Sequence, residues 1–239
     1  MQTIESQLSE LKLIGMKKSW QVLVDTRKQH ELNLADGIGM LLDAELIERG
    51  NRRTGRLTKN AAFRYQATVE QLRFDSSRGL DMALVTSLAT CNFINDGSSI
   101  IITGATGCGK SYLASALGHQ ACMLGYKVVY YNVQKLMMKT RMARLDGSIH
   151  KFFEKISKMD LVILDDFGLT HLEKQQHMVF MVLIEDRHAR KATIIASQLP
   201  LASWFDVIGE ETIADAILDR IVHTSYKIEL RGESLRKNR

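Results

Sequence analysis

The sequence contains little proline, little cysteine and no long apolar run. Its one proline, Pro200, directly follows an apolar stretch, where it fits a loop that leaves a sheet. Three cysteines are too few and too scattered for a disulfide framework, which predicts a reducing, cytoplasmic location. No apolar run approaches the roughly 20 residues that cross a bilayer. The first residues are polar and acidic, so we expect no signal peptide and no membrane partner.

Acidic residues are missing from one stretch of a chain whose formal net charge is +5. Between Glu48 and Glu70 there is no acidic residue, and the bases of residues 49–56 recur at intervals of three and four. A helix would gather these bases on one face, which predicts salt-sensitive, sequence-independent contact with duplex DNA. A solvated surface is the alternative. The predicted DNA-binding residues of this stretch are Arg49, Arg52, Arg53, Arg56, Lys59 and Arg64.

The pattern of apolar residues changes near residue 75. Residues 1–75 show helical spacing without a strand signal, and one further helix is predicted over Ala83–Phe93. Beyond it, short apolar runs alternate with helical patterns, which is typical of a parallel sheet covered on both faces. We therefore predict a small all-helical module at 1–75, which binds DNA or a partner, and an α/β core at 76–239. The predicted strands are Ser99–Thr103, Lys127–Tyr131, Leu161–Asp165, Thr193–Ser197 and Tyr226–Leu230.

A complete phosphate-binding motif, G-x-x-x-x-G-K-[ST], spans residues 104–111 after the first predicted strand. Its glycines let successive backbone N–H groups turn toward an anion. Lys110 would reach the β- and γ-phosphates of ATP, and the hydroxyl of Ser111 is a suitable Mg²⁺ ligand. A helix predicted over Lys110–Leu124 adds the positive end of its dipole. The predicted ATP-binding residues here are Gly104, Ala105, Thr106, Gly107, Cys108, Gly109, Lys110, Ser111 and Tyr112.

Two carboxylates end the third predicted strand. An apolar strand that ends in an aspartate commonly supplies the second Mg²⁺ ligand of such sites, and Asp165 is the candidate. Asp166 is then placed to polarise the attacking water as general base. The alternative is that both aspartates only end the strand and cap the following turn.

With these residues in hand, the chain resembles AAA+ ATPases, and within them the IstB-type transposition helpers, which are relatives of the DnaC-type helicase loaders. The most particular strings are residues 216–223 (AILDRIVH) and 232–237 (GESLRK). Supporting strings are residues 52–59, 78–81 (RGLD), 164–168 (LDDFG) and 197–200 (SQLP), together with the phosphate loop. The resemblance extends over the whole chain and implies a P-loop AAA+ core with a five-stranded parallel sheet.

The resemblance also implies roles for single residues. Gln198, or Ser197 beside it, occupies the place of the side chain that senses the γ-phosphate. Arg220 resembles the arginine finger that acts on ATP bound by a neighbouring subunit, with a surface pairing to Asp215 or Asp219 as the alternative. Arg236 is a candidate second sensor. The segment after the second strand faces the central channel of AAA+ rings, where Lys139, Arg141 and Arg144 would contact DNA.

The family pattern has Glu where this chain has Asp166, one methylene shorter, so we expect slow or partner-dependent hydrolysis. The resemblance implies an ATP- and Mg²⁺-dependent ATPase that self-assembles into a ring or helix on duplex DNA and recruits a transposase. A replicative helicase loader is the main alternative, distinguished by single-strand preference and a helicase partner. A monomeric nucleotide kinase that ignores DNA is a third class.

Overall fold

The computed structural model describes residues 4–235, with the side chains of Gln29 and Ser76 excepted. The chain forms two compact units, Met1–Arg56 and Leu57–Arg239. The predicted boundary at residue 75 therefore lies further along the chain than the division that the structure makes. Residues 57–75 belong with the larger unit because Ala61, Ala67 and Leu72 are buried in the same cluster as the strand residues Ile100 and Ile102.

The smaller unit contains the helices α1 (Ile4–Glu10) and α2 (Ile14–Asp25) and most of α3 (Leu34–Ala61). Helices α2 and α3 approach closely at Gly15, where an added Cβ would lie 2.3 Å from the carbonyl oxygen of Ala44. Glu45, only 5% exposed, accepts hydrogen bonds from the backbone N–H groups of Gly15 (2.7 Å) and Met16 (3.2 Å). The carboxylate thus satisfies two N–H groups that the first turn of α2 leaves unpaired.

The larger unit is an α/β fold. Its strands are β1 (Ser99–Gly104), β2 (Val128–Asn132), β3 (Leu161–Phe167), β4 (Ala192–Ser197) and β5 (Ser225–Leu230). Its helices are α4 (Met82–Ala89), α5 (Asn92–Asn95), α6 (Lys110–Met123), α7 (Val133–Leu145), α8 (Ile149–Ser157), α9 (Lys174–Arg187), α10 (Trp204–Ile208) and α11 (Glu211–Val222). Short 3₁₀ turns lie at Lys28–His30, Val69–Gln71, Ser76–Arg78 and Leu201–Ser203.

The five strands form one parallel sheet in the order β2-β3-β4-β1-β5, which confirms the predicted sheet. Strand β4 separates β1 from β3, with Ser197 opposite Thr103 on one side and Phe167 on the other. Because the strands are parallel, their carboxyl ends share one edge of the sheet. The phosphate loop after β1, the aspartates of β3 and the residues after β4 therefore converge.

Both faces of the sheet are covered. Along β1, Ile100 and Ile102 belong to one buried cluster and Ile101 to another on the opposite face. Alternation of side chains along a strand sends neighbours to opposite faces, so a strand buried on both faces must be apolar throughout. This explains the short, uninterrupted apolar runs in the sequence.

The helix predicted over Ala83–Phe93 is wrong as a single element. It is divided into α4 and α5 by Cys91, whose φ of 60° is left-handed and incompatible with a continuous helix. The side chain of Thr90 donates a hydrogen bond to the carbonyl oxygen of Ser87, a local bond that competes with helix continuation. The break lets Phe93 and Ile94 enter the core.

Across residues 4–235, no helix combines the length and the apolar character that a membrane span requires.

Candidate nucleotide site

The phosphate loop connects β1 to α6 and owes its shape to three glycines. Gly104, Gly107 and Gly109 have φ values of 142°, 85° and 107°, which glycine adopts without the steric cost that other residues meet. Helix α6 begins at Lys110, directly after the last of them. The loop therefore curls at the positive end of a helix dipole, an arrangement that favours anions.

A cavity of about 630 Å³ opens beside this loop, within the range of small-molecule sites. Its polar lining includes the phosphate loop, Arg64, Asp166 and Gln198. Its apolar and aromatic lining consists of Tyr65, Leu72, Leu80, Tyr112, Leu230 and Leu235. Tyr112, one of the predicted ATP-binding residues, donates a hydrogen bond to Oε1 of Gln71 (3.0 Å). Such a mixed lining suits a ligand that carries both charged groups and a flat apolar group.

Lys110 and Ser111 both line the cavity. The Lys110 side chain lies along the loop, and its Nζ donates to the carbonyl oxygens of Gly104 (2.7 Å) and Ala105 (2.9 Å). Lys110 is 9% exposed, so its ammonium is held inside the loop rather than in bulk water. A positive charge in that position complements a phosphate chain.

Asp165 lies in β3 and is fully buried. Its Oδ2 accepts a short hydrogen bond from the hydroxyl of Tyr130 on the neighbouring strand. Its Oδ1 is buried without a hydrogen-bond partner among the described residues. A buried carboxylate oxygen without a partner is costly. The carboxylate thus fits a hard cation such as Mg²⁺, directly or through a water ligand, and the hydroxyl of Ser111, which lines the cavity, is the candidate second oxygen ligand.

Asp166 projects from an irregular point of β3. Its φ of 59° is left-handed, and the pairing of β3 with β4 shifts between Leu164 and Phe167. Aspartate tolerates this conformation better than most residues. Its Oδ2 accepts hydrogen bonds from Nδ2 of Asn132 (2.8 Å) and Nη1 of Arg64 (2.9 Å). At this irregular point of β3, Asp166 lines the cavity, whereas Asp165 beside it stays buried.

Gln198 lies against the phosphate loop, where Oγ1 of Thr106 donates a hydrogen bond to its Oε1 (2.8 Å). Ser197, the alternative for the same role, is fully buried. Its hydroxyl donates to the carbonyl oxygen of Phe167 (2.8 Å) and accepts from the N–H of Leu199 (3.0 Å). Of the two, only Gln198 lines the cavity.

Two of the sequence strings that carry the family resemblance, around residues 78–81 and 232–237, meet at this cavity. Arg78 donates through Nη2 to the carbonyl oxygen of Glu233 (2.8 Å), and the N–H of Leu235 donates to the carbonyl oxygen of Gly107 (3.0 Å). An added Cβ at Gly107 would lie 2.1 Å from Oγ of Ser234. The segment 232–235 therefore packs directly on the phosphate loop and closes one side of the cavity.

The sequence did not single out Tyr130 or Asn132, and it assigned Arg64 to DNA. All three contact the paired aspartates. The signal for Tyr130 and Asn132 was weak: they are polar groups on alternate residues near the end of an apolar strand. The position of Arg64 depends on how residues after α3 return to the sheet, which no local pattern reveals.

Arg220 lies on α11 and does not line this cavity. Its side chain is 27% exposed, forms an ion pair with Glu185 of α9 and donates to the carbonyl oxygen of Ala216 (2.9 Å). Asp215 and Asp219, the partners that the sequence suggested, are not its ion-pair partners. Arg236, the candidate second sensor, lies outside the described residues.

The predicted DNA-binding residues fall into three settings. Arg49 and Arg52 on α3 face Glu45, with nitrogen–oxygen distances of 2.8 Å and 3.6 Å, so part of their charge is already balanced. Arg64, which the sequence assigned to DNA contact, lines the nucleotide cavity. The other six are exposed on α3 or α7, namely Arg53, Arg56, Lys59, Lys139, Arg141 and Arg144.

Known proteins resemble this chain over nearly its full length. The family model described as IstB-like ATP binding protein matches residues 6–239. An insertion sequence ATP-binding protein of Sinorhizobium fredii, y4pL, is 39% identical over 231 residues, which cover 97% of this chain and 94% of the relative. The IS21 ATP-binding protein of Pseudomonas aeruginosa is 28% identical over 236 residues, covering 99% of this chain and 89% of the relative.

Solved structures share the fold at low sequence identity. DnaI superposes with a TM-score of 0.60 at 19% identity, covering 70% of this chain and 92% of DnaI. The DnaC helicase loader gives a TM-score of 0.57 at 18% identity, covering 70% of this chain and 98% of that protein. These similarities concern the fold alone, and they agree with the predicted α/β core.

Proposed function

Because the chain belongs to the family of IstB-like ATP-binding proteins, we propose that it is an ATPase that assists DNA transposition. With ATP it assembles on duplex DNA, and the assembly recruits or activates a transposase. The relatives that share most of its length are ATP-binding proteins of insertion sequences, which supports this role over a metabolic one. Its three cysteines are free, which supports work in a reducing cytoplasm.

The observation that carries the ATPase proposal is that the phosphate loop and Asp166 line one cavity, while the buried carboxylate of Asp165 lies 3.5 Å from Arg64 of the same cavity. The loop's N–H groups and Lys110 bind and orient the phosphates, and Ser111 and Asp165 would hold a Mg²⁺ ion. An ion held there would supply positive charge to neutralise the charge that develops on the phosphates. Asp166 orients the attacking water, and Gln198 contacts the γ-phosphate from the end of β4.

Arg220 acts across a subunit interface, which makes hydrolysis depend on assembly. Its partner Glu185 is 52% exposed, and exposed ion pairs contribute about 0–1 kcal/mol to stability. Arg220 can therefore leave Glu185 and contact a phosphate of the neighbouring subunit's ATP with only a small loss of free energy. An arginine finger accelerates hydrolysis by about 10³–10⁵.

The exposed bases of α7 support the DNA part of the proposal. Lys139, Arg141 and Arg144 surround an outward stripe formed by Met138, Met142 and Leu145, which are 64–78% exposed. Bases beside an apolar stripe can contact phosphates while the stripe contacts a groove. On α3, the bases that do not face Glu45 contribute further charge.

A replicative helicase loader remains the second candidate, and DnaI and the DnaC loader support it through the fold alone. Sedimentation distinguishes the two. We expect a large assembly with a non-hydrolysable ATP analogue and duplex DNA, and a smaller species with ADP. Assembly that requires single-stranded DNA would favour the helicase loader, and an unchanged monomer in every condition would contradict both.

A further inference from the structure

Arg64 lies between the two aspartates of the nucleotide site. Its Nη1 is 2.9 Å from Oδ2 of Asp166 and 3.5 Å from Oδ2 of Asp165. The Asp165 side chain is 1% exposed, whereas that of Arg64 is 41% exposed. One guanidinium therefore reaches from the cavity to a buried carboxylate and its neighbour at the same time.

The backbone on both sides of Arg64 is anchored by aromatic rings. Phe63 packs on α6, where an added Cβ at Gly118 would lie 2.6 Å from its Cε1, and meets the Tyr130 ring edge-on at 6.5 Å. Tyr65 lies 6.1 Å from the ring of Tyr112. Because both neighbours are held, the chain presents Arg64 to the aspartates as part of the packed structure.

Two adjacent carboxylates repel each other, and burial of one makes the repulsion harder to screen. The guanidinium of Arg64 supplies the opposing charge. Tyr130 and Asn132 donate hydrogen bonds to the same pair but carry no charge. Arg64 is thus the one cation among the described residues that forms an ion pair with Asp165 or Asp166.

Mg²⁺ requires the same negative charge. We propose that Arg64 is the resident counter-ion of Asp165 and Asp166 and competes with Mg²⁺ for them, so that it sets the metal affinity of the nucleotide complex. This inference rests on the proposed function, because it assumes that the cavity binds ATP together with the metal. Arg64 is then a positioning residue of the hydrolysis site rather than a DNA contact.

Removing the charge should tighten metal binding. Loss of one positive charge beside a divalent ion changes its binding constant by about tenfold even at the dielectric constant of water. We therefore expect Arg64→Gln to bind metal about tenfold more tightly, while Arg64→Lys, which keeps the charge, stays near the wild-type value. In an Asp166→Asn background, the effect of Arg64→Gln should shrink, because half of the carboxylate pair is already neutral.

The test is the binding of Mn²⁺ as a probe for the Mg²⁺ site, with a non-hydrolysable ATP analogue at saturation. The electron paramagnetic resonance signal of free Mn²⁺ reports metal affinity without turnover. Arg73→Gln is the matched control, because Arg73 lines the same cavity without a carboxylate contact among the described residues. Arg64→Ala is a second charge-removing variant if Arg64→Gln does not fold.

A tenfold tighter Mn²⁺ complex in Arg64→Gln, with Arg64→Lys and Arg73→Gln near wild type, supports the inference. Unchanged or weaker Mn²⁺ binding in Arg64→Gln overturns it, as does equal tightening in Arg64→Lys. If Arg64→Gln loses affinity for DNA and keeps its affinity for Mn²⁺, the inference is overturned and Arg64 is a DNA contact instead. A wild-type protein that binds no Mn²⁺ with the analogue would instead contradict the proposed function itself.

Discussion

The hydroxyl of Tyr130 on β2 donates a hydrogen bond to the buried Oδ2 of Asp165 on β3. Burial, and after it the negative charge of Asp165, raises the pKa of Tyr130, so the hydroxyl stays protonated and remains a donor. The carboxylate that we assign to Mg²⁺ is therefore oriented by a residue on the adjacent strand.

We expect Tyr130→Phe to lower stability and slow hydrolysis. The ring remains, but the buried oxygen of Asp165 loses its donor, a loss that costs about 1–3 kcal/mol. Thermal unfolding should show the lower stability, and steady-state turnover should fall while affinity for a fluorescent ATP analogue is retained. If Tyr130→Phe has the turnover and melting temperature of the wild type, the Tyr130 hydroxyl does not orient Asp165.

Gly107→Ala should abolish tight nucleotide binding. The new Cβ would meet Ser234 at 2.1 Å, and the φ of 85° is unfavourable for alanine by about 1–2 kcal/mol, or roughly tenfold in affinity before the clash is counted. Gly55→Ala is the control, because nothing lies within 4 Å of its added Cβ and it stands inside α3. Equilibrium binding of a fluorescent ATP analogue should separate the two variants. Wild-type affinity in Gly107→Ala would show that segment 232–235 does not constrain the loop.

Arg220→Ala should bind ATP normally and lose about 10³-fold or more of its turnover, since an arginine finger acts only on the transition state. Mixing Arg220→Ala with Lys110→Ala should restore part of the activity, because each variant supplies what the other lacks at a shared interface. Glu185→Gln, which removes only the internal ion-pair partner, should remain active. Mixtures with no more activity than the separate variants would place Arg220 outside the interface.

Asp160 should contribute to stability in a pH-dependent way. Burial acts to raise its pKa, but hydrogen bonds from Lys191 (2.7 Å) and the N–H of Lys127 (2.9 Å) outweigh it, so the pKa of Asp160 lies below its ordinary value. A lowered folded pKa gives stability that is present above about pH 4 and is lost as the pH falls further. The melting-temperature difference between wild type and Asp160→Asn should therefore narrow below pH 4. A melting-temperature difference that stays constant from pH 7 to pH 3 would show that the hydrogen bonds of Asp160 with Lys191 and Lys127 do not stabilise the ionised carboxylate.

The parts of the site that lie in consecutive residues could be predicted from the sequence. The phosphate loop and Asp165 follow apolar strands directly, and a parallel sheet brings strand ends to one edge. The contacts of Tyr130, Asn132 and Arg64 with the aspartates depend on strand order and on the return of the chain after α3. The spacing of residues in the sequence predicts neither the strand order nor the path of the chain after α3.

One carboxylate lies next to the basic stretch of α3. The stretch without acids was counted from Glu48, but Glu45 lies four residues before Arg49, within reach on the same helix face. The residues that exclude Glu45 from solvent belong to α2, so its burial was not visible in the sequence. Two of the predicted DNA contacts are consequently shared with an internal carboxylate.

The proposed function requires, above all, that ATP hydrolysis responds to duplex DNA. We would measure steady-state ATPase activity without DNA, with duplex DNA and with single strands, at two salt concentrations, with Lys110→Ala as the inactive control. We expect a rate that rises with duplex DNA and loses that stimulation at higher salt, because phosphate contacts are salt-dependent. A rate indifferent to every form of DNA, or normal turnover by Lys110→Ala, would contradict it.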